Sequence, residues 1–281
     1  MGALTAYKGL ELSRDIEDYP EGIIFAVDKP YRWTSADVIR KLKWAGCRFL
    51  GKRNLKVGHA GTLDPLATGI LLVCIGKATK LAEQLQQHEK QYLASVSFGA
   101  TTPSYDLEKE VDSFYPLEGV SEESLASILP NFIGEQDQVA PLFSAKSVDG
   151  VRAYETARKL LRESRLKGIT YEESEAVAAL QTNHINISGI EMISFSNRQS
   201  PAPVDDGYGR IRVADISAYQ FPTAVLSVTC SKGTYIRALA RDLGEALGSG
   251  AFLSGLRRTR SGSYSENEAL SIDECLEILS V

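Results

Sequence analysis

Val57–Gly58–His59–Ala60–Gly61–Thr62–Leu63–Asp64–Pro65–Leu66–Ala67–Thr68–Gly69 decides how this chain is read. One carboxylate, Asp64, stands among three glycines, a proline and a histidine. Pro65 restricts the backbone of Asp64 toward extended values. Gly58, Gly61 and Gly69 allow turns and the close approach of a large ligand. Taken singly, an aspartate before proline is an ordinary turn former. In this frame it is a candidate reactive group on a shaped loop, backed by the apolar run Ile70–Ile75.

Before the loop the charge is lopsided. Nine lysines and arginines lie between Lys29 and Gly58 against one acid, Asp37, although the whole chain carries a formal charge of −5. A second basic cluster is Arg257, Arg258 and Arg260, and acids gather at Asp106–Asp112 and Glu172–Glu175. A polyanion responds to the local patch more than to the sum. A solvated helix face with no partner is the alternative reading of the same charges.

Further out, apolar patterning gives the elements. Gly22–Asp28 reads as a strand ended by Lys29–Pro30. Thr34 or Ser35 caps a helix to about Ala45, with Gly46 as its stop and a basic loop following. Ile70–Ile75 is a buried strand, and residues 78–88 form a helix. Tyr92–Phe98 alternates as a strand. Ser121 caps a helix ending near Pro130, and a charged helix spans 152–165. Strands are expected at 185–195, 210–217, 224–230 and 251–256, with helices at 234–247 and 266–279. The elements show no regular βαβ rhythm, and the later strands alternate. Both point to an α+β fold with largely antiparallel pairing. The expected division is a tail over 1–21, a catalytic domain over 22–262 with an insertion at about 130–185, and a short helical segment over 263–281.

Other residues invite chemistry, each with a plainer reading beside it. His59 could hydrogen-bond a phosphate or simply order its loop; His88 and His184 show no ligand spacing around it. Arg237 lies in Cys230–Ser231–Lys232–Gly233–Thr234–Tyr235–Ile236–Arg237, a strand, a glycine turn and a first helical turn. It could pair with Asp64 and keep that carboxylate ionised, or sit as a surface arginine. Tyr92 could stack on a base or pack in the core. No GxGxxG, HExxH or GxSxG pattern occurs, so a dinucleotide cofactor and the commoner hydrolase sites are disfavoured. The four cysteines show neither CxxC spacing nor a disulfide framework, which points to a reducing cytoplasm. No signal peptide and no membrane span are expected.

The Asp64 stretch, continued by Val73–Cys74–Ile75–Gly76–Lys77–Ala78–Thr79–Lys80, resembles the signature of the TruB-type tRNA pseudouridine 55 synthases. So do Val27–Asp28–Lys29–Pro30 with Trp33–Thr34–Ser35, Lys90–Gln91–Tyr92, Gly99–Thr102 and Ser104–Tyr105–Asp106. Pro141 through Ser144–Ala145–Lys146–Ser147, Gly150, Tyr154, the Cys230–Arg237 run and Leu256–Arg257–Arg258 complete the set. The resemblance covers about residues 22–260. It implies a pseudouridine synthase fold, with a central mixed, largely antiparallel sheet flanked by helices and a thumb-like insertion.

The resemblance also implies that Asp64 is the catalytic nucleophile acting on a flipped-out T-loop uridine of tRNA. Either attack on the base or abstraction of a ribose proton would open that reaction. Substrate-binding roles fall to His59, Tyr92, Arg237, Leu256, Lys29 and Asp106, with Arg237 paired to Asp64. The partner implied is the T-stem-loop of tRNA; no cofactor, metal or obligate protein partner is expected, and a monomer is the simplest state. Two departures stand out. Arg32 occupies a position where the family usually has glycine, and Glu172–Glu175 replaces a basic run. The stretch after Arg258 is expected to be too short for the separate RNA-binding domain that some relatives append.

Overall fold

A computed structural model of the chain describes residues 2–141, 147–148, 151–152, 182–199 and 211–280. The chain divides into two compact units. The first contains residues 1–93, 204–212 and 256–281; the second contains 94–203 and 213–255.

In the first unit, β1 (Leu4–Thr5) pairs parallel with β2 (Ile23–Lys29). β2 lies antiparallel to β4 (Ala67–Ile75), from Ile23 opposite Ile75 to Lys29 opposite Gly69. The other edge of β4 is shared. Its first residues pair parallel with Leu256–Arg258 of β13 (Ala251–Ser261), and its last residues pair antiparallel with β3 (Val57–His59). The short β14 (Tyr264–Ser265) closes back on β13.

Successive side chains of β2 and β4 point to opposite faces, and both faces are covered. Phe25, Val27, Leu71 and Val73 share a core with Val38, Leu42, Ala45 and Phe49 of helix α1 (Ser35–Phe49) and with Cys275 and Ile278 near the C-terminus. Ile24, Ala26, Ile70, Leu72 and Cys74 pack with Ala78 and Leu85 on the other side. A strand covered on both faces must be apolar throughout, which explains the unbroken run Ile70–Ile75. Each fully buried Leu, Ile or Phe contributes roughly 1.5–3 kcal/mol.

Helix α1 starts from a reciprocal cap. The Thr34 hydroxyl accepts from the Asp37 amide, and the Asp37 carboxylate accepts from the Thr34 amide. Its expected stop at Gly46 is not one: the helix runs on to Phe49. A Cβ at Gly46 would lie 2.9 Å from Leu55 Cδ2, so this glycine makes room for a packed side chain.

Residues 2–20, expected as part of a tail, are built in. β1 extends the sheet, and Leu10, Leu12, Ile16 and Tyr19 pack partly buried on the first core. The acids among them masked these apolar anchors in the sequence. The C-terminal helix also differs. A 3-10 turn at Glu266–Glu268 precedes helix Ile272–Ile278, whose cap is Ser271.

In the second unit, β12 (Phe221–Cys230) pairs antiparallel with β11 (Thr182–Gln199), which pairs antiparallel with β8 (Gly134–Val139). The chain enters this unit within β5 (Lys90–Phe98) and leaves it within β13. Helices Glu122–Ile128 and Ile236–Ala246 supply buried Leu125, Leu239 and Leu243. The Ser97 hydroxyl bonds Thr223 and Ser254 between strands.

The strand expected at 210–217 is absent over 211–217. There the Asp215 side chain accepts from the Ser217 amide, and the Tyr219 amide bonds the Ile216 carbonyl, so the chain turns. The expected helix at 152–165, apart from Arg152 in the short strand Val151–Arg152, the acidic run 172–175, Ser144–Lys146, Gly150, Tyr154 and most of the insertion lie outside the described residues.

Gly69 sits directly against Arg258 where β4 and β13 pair. Its φ is +94°, and a Cβ there would lie 2.2 Å from the Arg258 carbonyl oxygen. Gly69→Ala is therefore expected to destabilise the protein by roughly 3 kcal/mol or more, read as a lower urea midpoint at unchanged slope.

Candidate active site

Asp64 opens a tight turn. Pro65 and Leu66 are its central residues, and the Ala67 amide donates to the Asp64 carbonyl at 3.1 Å. Asp then Pro is the sequence such a turn favours. The surrounding backbone is held almost residue by residue. The Ala60 amide donates to the Leu72 carbonyl at 2.9 Å. The Ser35 hydroxyl donates to the Leu63 carbonyl and accepts from the Leu63 amide, both at 3.0 Å. Ser35 is the first residue of α1, so the helix itself is pinned to the residue before the aspartate.

The residue after it is held by Lys29. Its Nζ donates to the carbonyls of Pro30 (2.9 Å), Trp33 (2.6 Å) and Pro65 (3.1 Å), using three donors. Arg258, 1% exposed, closes the frame: Nε donates to the Ile70 carbonyl at 2.6 Å and Nη2 to the Gly61 carbonyl at 3.2 Å. Asp64 keeps a half-exposed side chain on this fixed backbone.

Lys29, expected to bind substrate, is 0% exposed, and its ammonium is spent on carbonyls. Burial pushes its pKa down to about 7. Asp64, Asp37 and Asp28 oppose that shift, and Arg258 reinforces it. His59, at the end of β3, is half-buried. Burial first, then the Arg258 charge, hold its pKa below the ordinary histidine value, against a backbone hydrogen bond at Gly61. Its Nδ1 is buried without a hydrogen-bond partner among the described residues. Tyr92 and Leu256 both lie partly buried against the first core.

Two of the residues singled out in the sequence belong to the second unit. Arg237 is 4% exposed; Nη1 donates to the Ser104 carbonyl at 3.1 Å and Nε lies 3.7 Å from Asp106 Oδ2. Asp106, also 4% exposed, accepts from the Ser104 hydroxyl at 2.6 Å and the Glu108 amide at 2.9 Å. Its carboxylate therefore faces Arg237 and its own loop. Arg237 is a buried cation on a helix start, not a solvated arginine.

Arg32 stands where the resemblance implies glycine. Its φ is +62°, the left-handed conformation glycine takes freely, and its Nε donates to the Ile211 carbonyl at 2.9 Å. The second basic cluster is engaged by partners within the fold. Arg257 is bidentate to Asp28 at 3.0 Å and 3.0 Å and also reaches Glu266 at 2.7 Å. Arg258 is buried, and Arg260 pairs with Glu89 at 2.8 Å.

Sequence reading missed Ser35 and Arg258 as loop holders. The Trp33–Thr34–Ser35 and Leu256–Arg257–Arg258 runs were visible, but not which backbone they would reach. Among the described residues, no group of three or more His, Cys, Asp or Glu side chains is placed to hold a metal, and no helix is long and apolar enough to cross a membrane.

Two family models match the chain: TruB family pseudouridylate synthase (N terminal domain) over residues 48–236, and tRNA pseudouridylate synthase B C-terminal domain over 237–280. A tRNA pseudouridine synthase B of Phocaeicola vulgatus is 43% identical over 262 residues, covering 93% of this chain and 95% of that protein. One from Thermus thermophilus is 38% identical, covering 89% and 76%. Among solved structures, a Cbf5-Nop10-Gar1 complex matches with a TM-score of 0.58 at 25% identity, over 94% of this chain and 56% of that one. An H/ACA RNP bound to a substrate RNA containing 2'-deoxyuridine matches with a TM-score of 0.55 at 24% identity, over 92% and 53%; it shares the fold.

The depressed pKa of Lys29 carries a pH signature. The unfolded chain holds this proton to the ordinary value of 10.5, while the folded chain releases it near 7. The site's stabilising contribution is thus fully present above 10.5 and is lost as pH falls through about 7. Between pH 7 and 9 the wild type is expected to gain on Lys29→Met by up to about 1.4 kcal/mol per pH unit. Urea titrations at fixed salt read this; parallel pH curves would contradict it.

Proposed function

The chain belongs to the TruB family of pseudouridylate synthases, and on that footing we propose that it converts the T-loop uridine at position 55 of tRNA to pseudouridine. The observation that carries the reading is the Asp64 carboxylate on a backbone fixed at the residues before and after it. Pre-positioned groups of this kind lower a barrier because little motion remains to be frozen in the transition state.

The reaction rearranges one nucleotide. The bond from C1' of the ribose to N1 of the base breaks, the base turns, and C1' bonds to C5. The C5 proton leaves and N1 gains a proton, so nothing is consumed and no cofactor is called for. Asp64 is the nucleophile that opens this sequence. A uridine inside a folded loop must first be extruded, at a cost of a few kcal/mol. Tyr92 stacks on the extruded base, Leu256 lines the pocket beside it, and His59 contacts the RNA next to the flipped nucleotide.

In this reading Arg237 is a substrate-binding residue, with Asp106 beside its guanidinium. Lys29 acts one step removed, through the Pro65 carbonyl and its charge near Asp64. The enzyme works on tRNA in the cytoplasm, a setting that suits its four free thiols.

Asp64→Asn keeps the size and loop geometry while removing the charge. It is expected to lower pseudouridine formation on a T-arm hairpin by at least 10³-fold, a factor typical of a lost nucleophile, with RNA affinity changed less than threefold. Tritium release from C5-labelled uridine and filter binding measure the two. Turnover near the wild-type rate would refute the assignment, and parallel loss of binding would make Asp64 a structural residue.

A further inference from the structure

We propose that the exposed face of α1, with the loop that follows it, is a second RNA-binding surface that takes the part of tRNA lying outside the target hairpin. The proposal rests on the tRNA reading above and adds to it a place and a partner region.

Residues 38–58 contain Arg40, Lys41, Lys43, Arg48, Lys52, Arg53 and Lys56 and no acid. All seven are exposed. The helical period sets Arg40, Trp44 and Arg48 on one line, with Lys41 and Lys43 on either side. The opposite face is spent on the core through Val38, Leu42, Ala45 and Phe49. Arg40 is engaged by Asp37, and Lys52 by Glu17. Lys41, Lys43, Arg53 and Lys56 make no ion pair among the described residues. In a chain of net charge −5 this is a strongly cationic surface, complementary to a phosphate backbone.

Trp44 makes the face more than a charge pattern. Its side chain is 58% exposed at the centre of the basic stripe, and the Arg48 guanidinium sits 4.8 Å from the ring centroid. Beyond that cation–π contact most of the indole still faces water; against a ribose or an unpaired base it stacks, with the cation beside it meeting phosphate. Geometry supplies the direction. α1 begins at Ser35, which is bonded to the residue before Asp64, and Arg48 lies about 20 Å further along the helix at ~1.5 Å per residue. Lys41 lies about 9 Å and Trp44 about 14 Å along the same axis from Ser35 at ~1.5 Å per residue, so RNA seated with its uridine at Asp64 meets this stripe through nucleotides other than the target.

The test compares full-length tRNA with an isolated T-arm hairpin. In Lys41→Ala/Lys43→Ala/Arg48→Ala, where alanine suits the helix, the Kd for tRNA is expected to rise at least tenfold at 100 mM KCl. The slope of log K against log salt should become shallower by about 2 to 3, near 0.9 for each phosphate that is no longer neutralised. Trp44→Ala should weaken tRNA binding three- to tenfold with the slope unchanged. Both variants should bind and turn over the hairpin within twofold of wild type.

Unchanged tRNA affinity and slope would overturn the proposal, as would an equal loss on the hairpin. Sedimentation showing a wild-type dimer that Trp44→Ala dissociates would assign the face to a second copy of the chain and overturn it too. A wild-type protein that forms no pseudouridine in either RNA would remove the functional reading, and this surface with it.

Discussion

The site depends on backbone hydrogen bonds made by two side chains that never need to touch a substrate. Ser35 bonds both the amide and the carbonyl of Leu63, and Lys29 bonds the carbonyl of Pro65. Between them Asp64 has little room to move. Loops are ordinarily the mobile parts of a fold. This one is tied to the first turn of α1, to the end of β2 and, through Arg258, to β13. The order of this loop therefore comes from buried elements of the first unit.

That arrangement explains why two cations are buried. A buried ammonium or guanidinium is costly unless its donors are matched. Lys29 spends three donors on carbonyls, and Arg258 bonds Gly61 and Ile70 from within the core. Both lie close enough to the loop to shape its field. Lys29 is sensitive to the charge of Asp64, and His59 to that of Arg258. Fully extended aliphatic side chains could fill the same volume but could not hold carbonyls in place.

Much of this was legible in the sequence, and the misses have physical causes. The Asp64 loop, the Ile70–Ile75 strand and the Tyr92 strand stood out because glycine and proline placement and apolar runs are local signals. Gly46 misled because a glycine needed for packing against Leu55 looks the same in sequence as one that ends a helix. The first twenty residues looked polar because Glu11, Asp15, Glu17 and Asp18 hide a few well-spaced apolar anchors. Arg257, Arg258 and Arg260 looked like an anion-binding cluster, yet their partners Asp28, Gly61, Ile70 and Glu89 lie far away along the chain. Roles that depend on distant backbone, as for Ser35 and Lys29, leave no local pattern to read.

The most direct measurement is the single-turnover rate of pseudouridine formation in Ser35→Ala, taken with its RNA affinity. If the backbone clamp positions Asp64, the rate falls by roughly tenfold to a hundredfold, as a misplaced reacting group costs, while the Kd for tRNA stays within threefold of wild type. A variant that keeps the wild-type rate, with its fold and RNA affinity intact, would show that the clamp does not set the position of the Asp64 carboxylate.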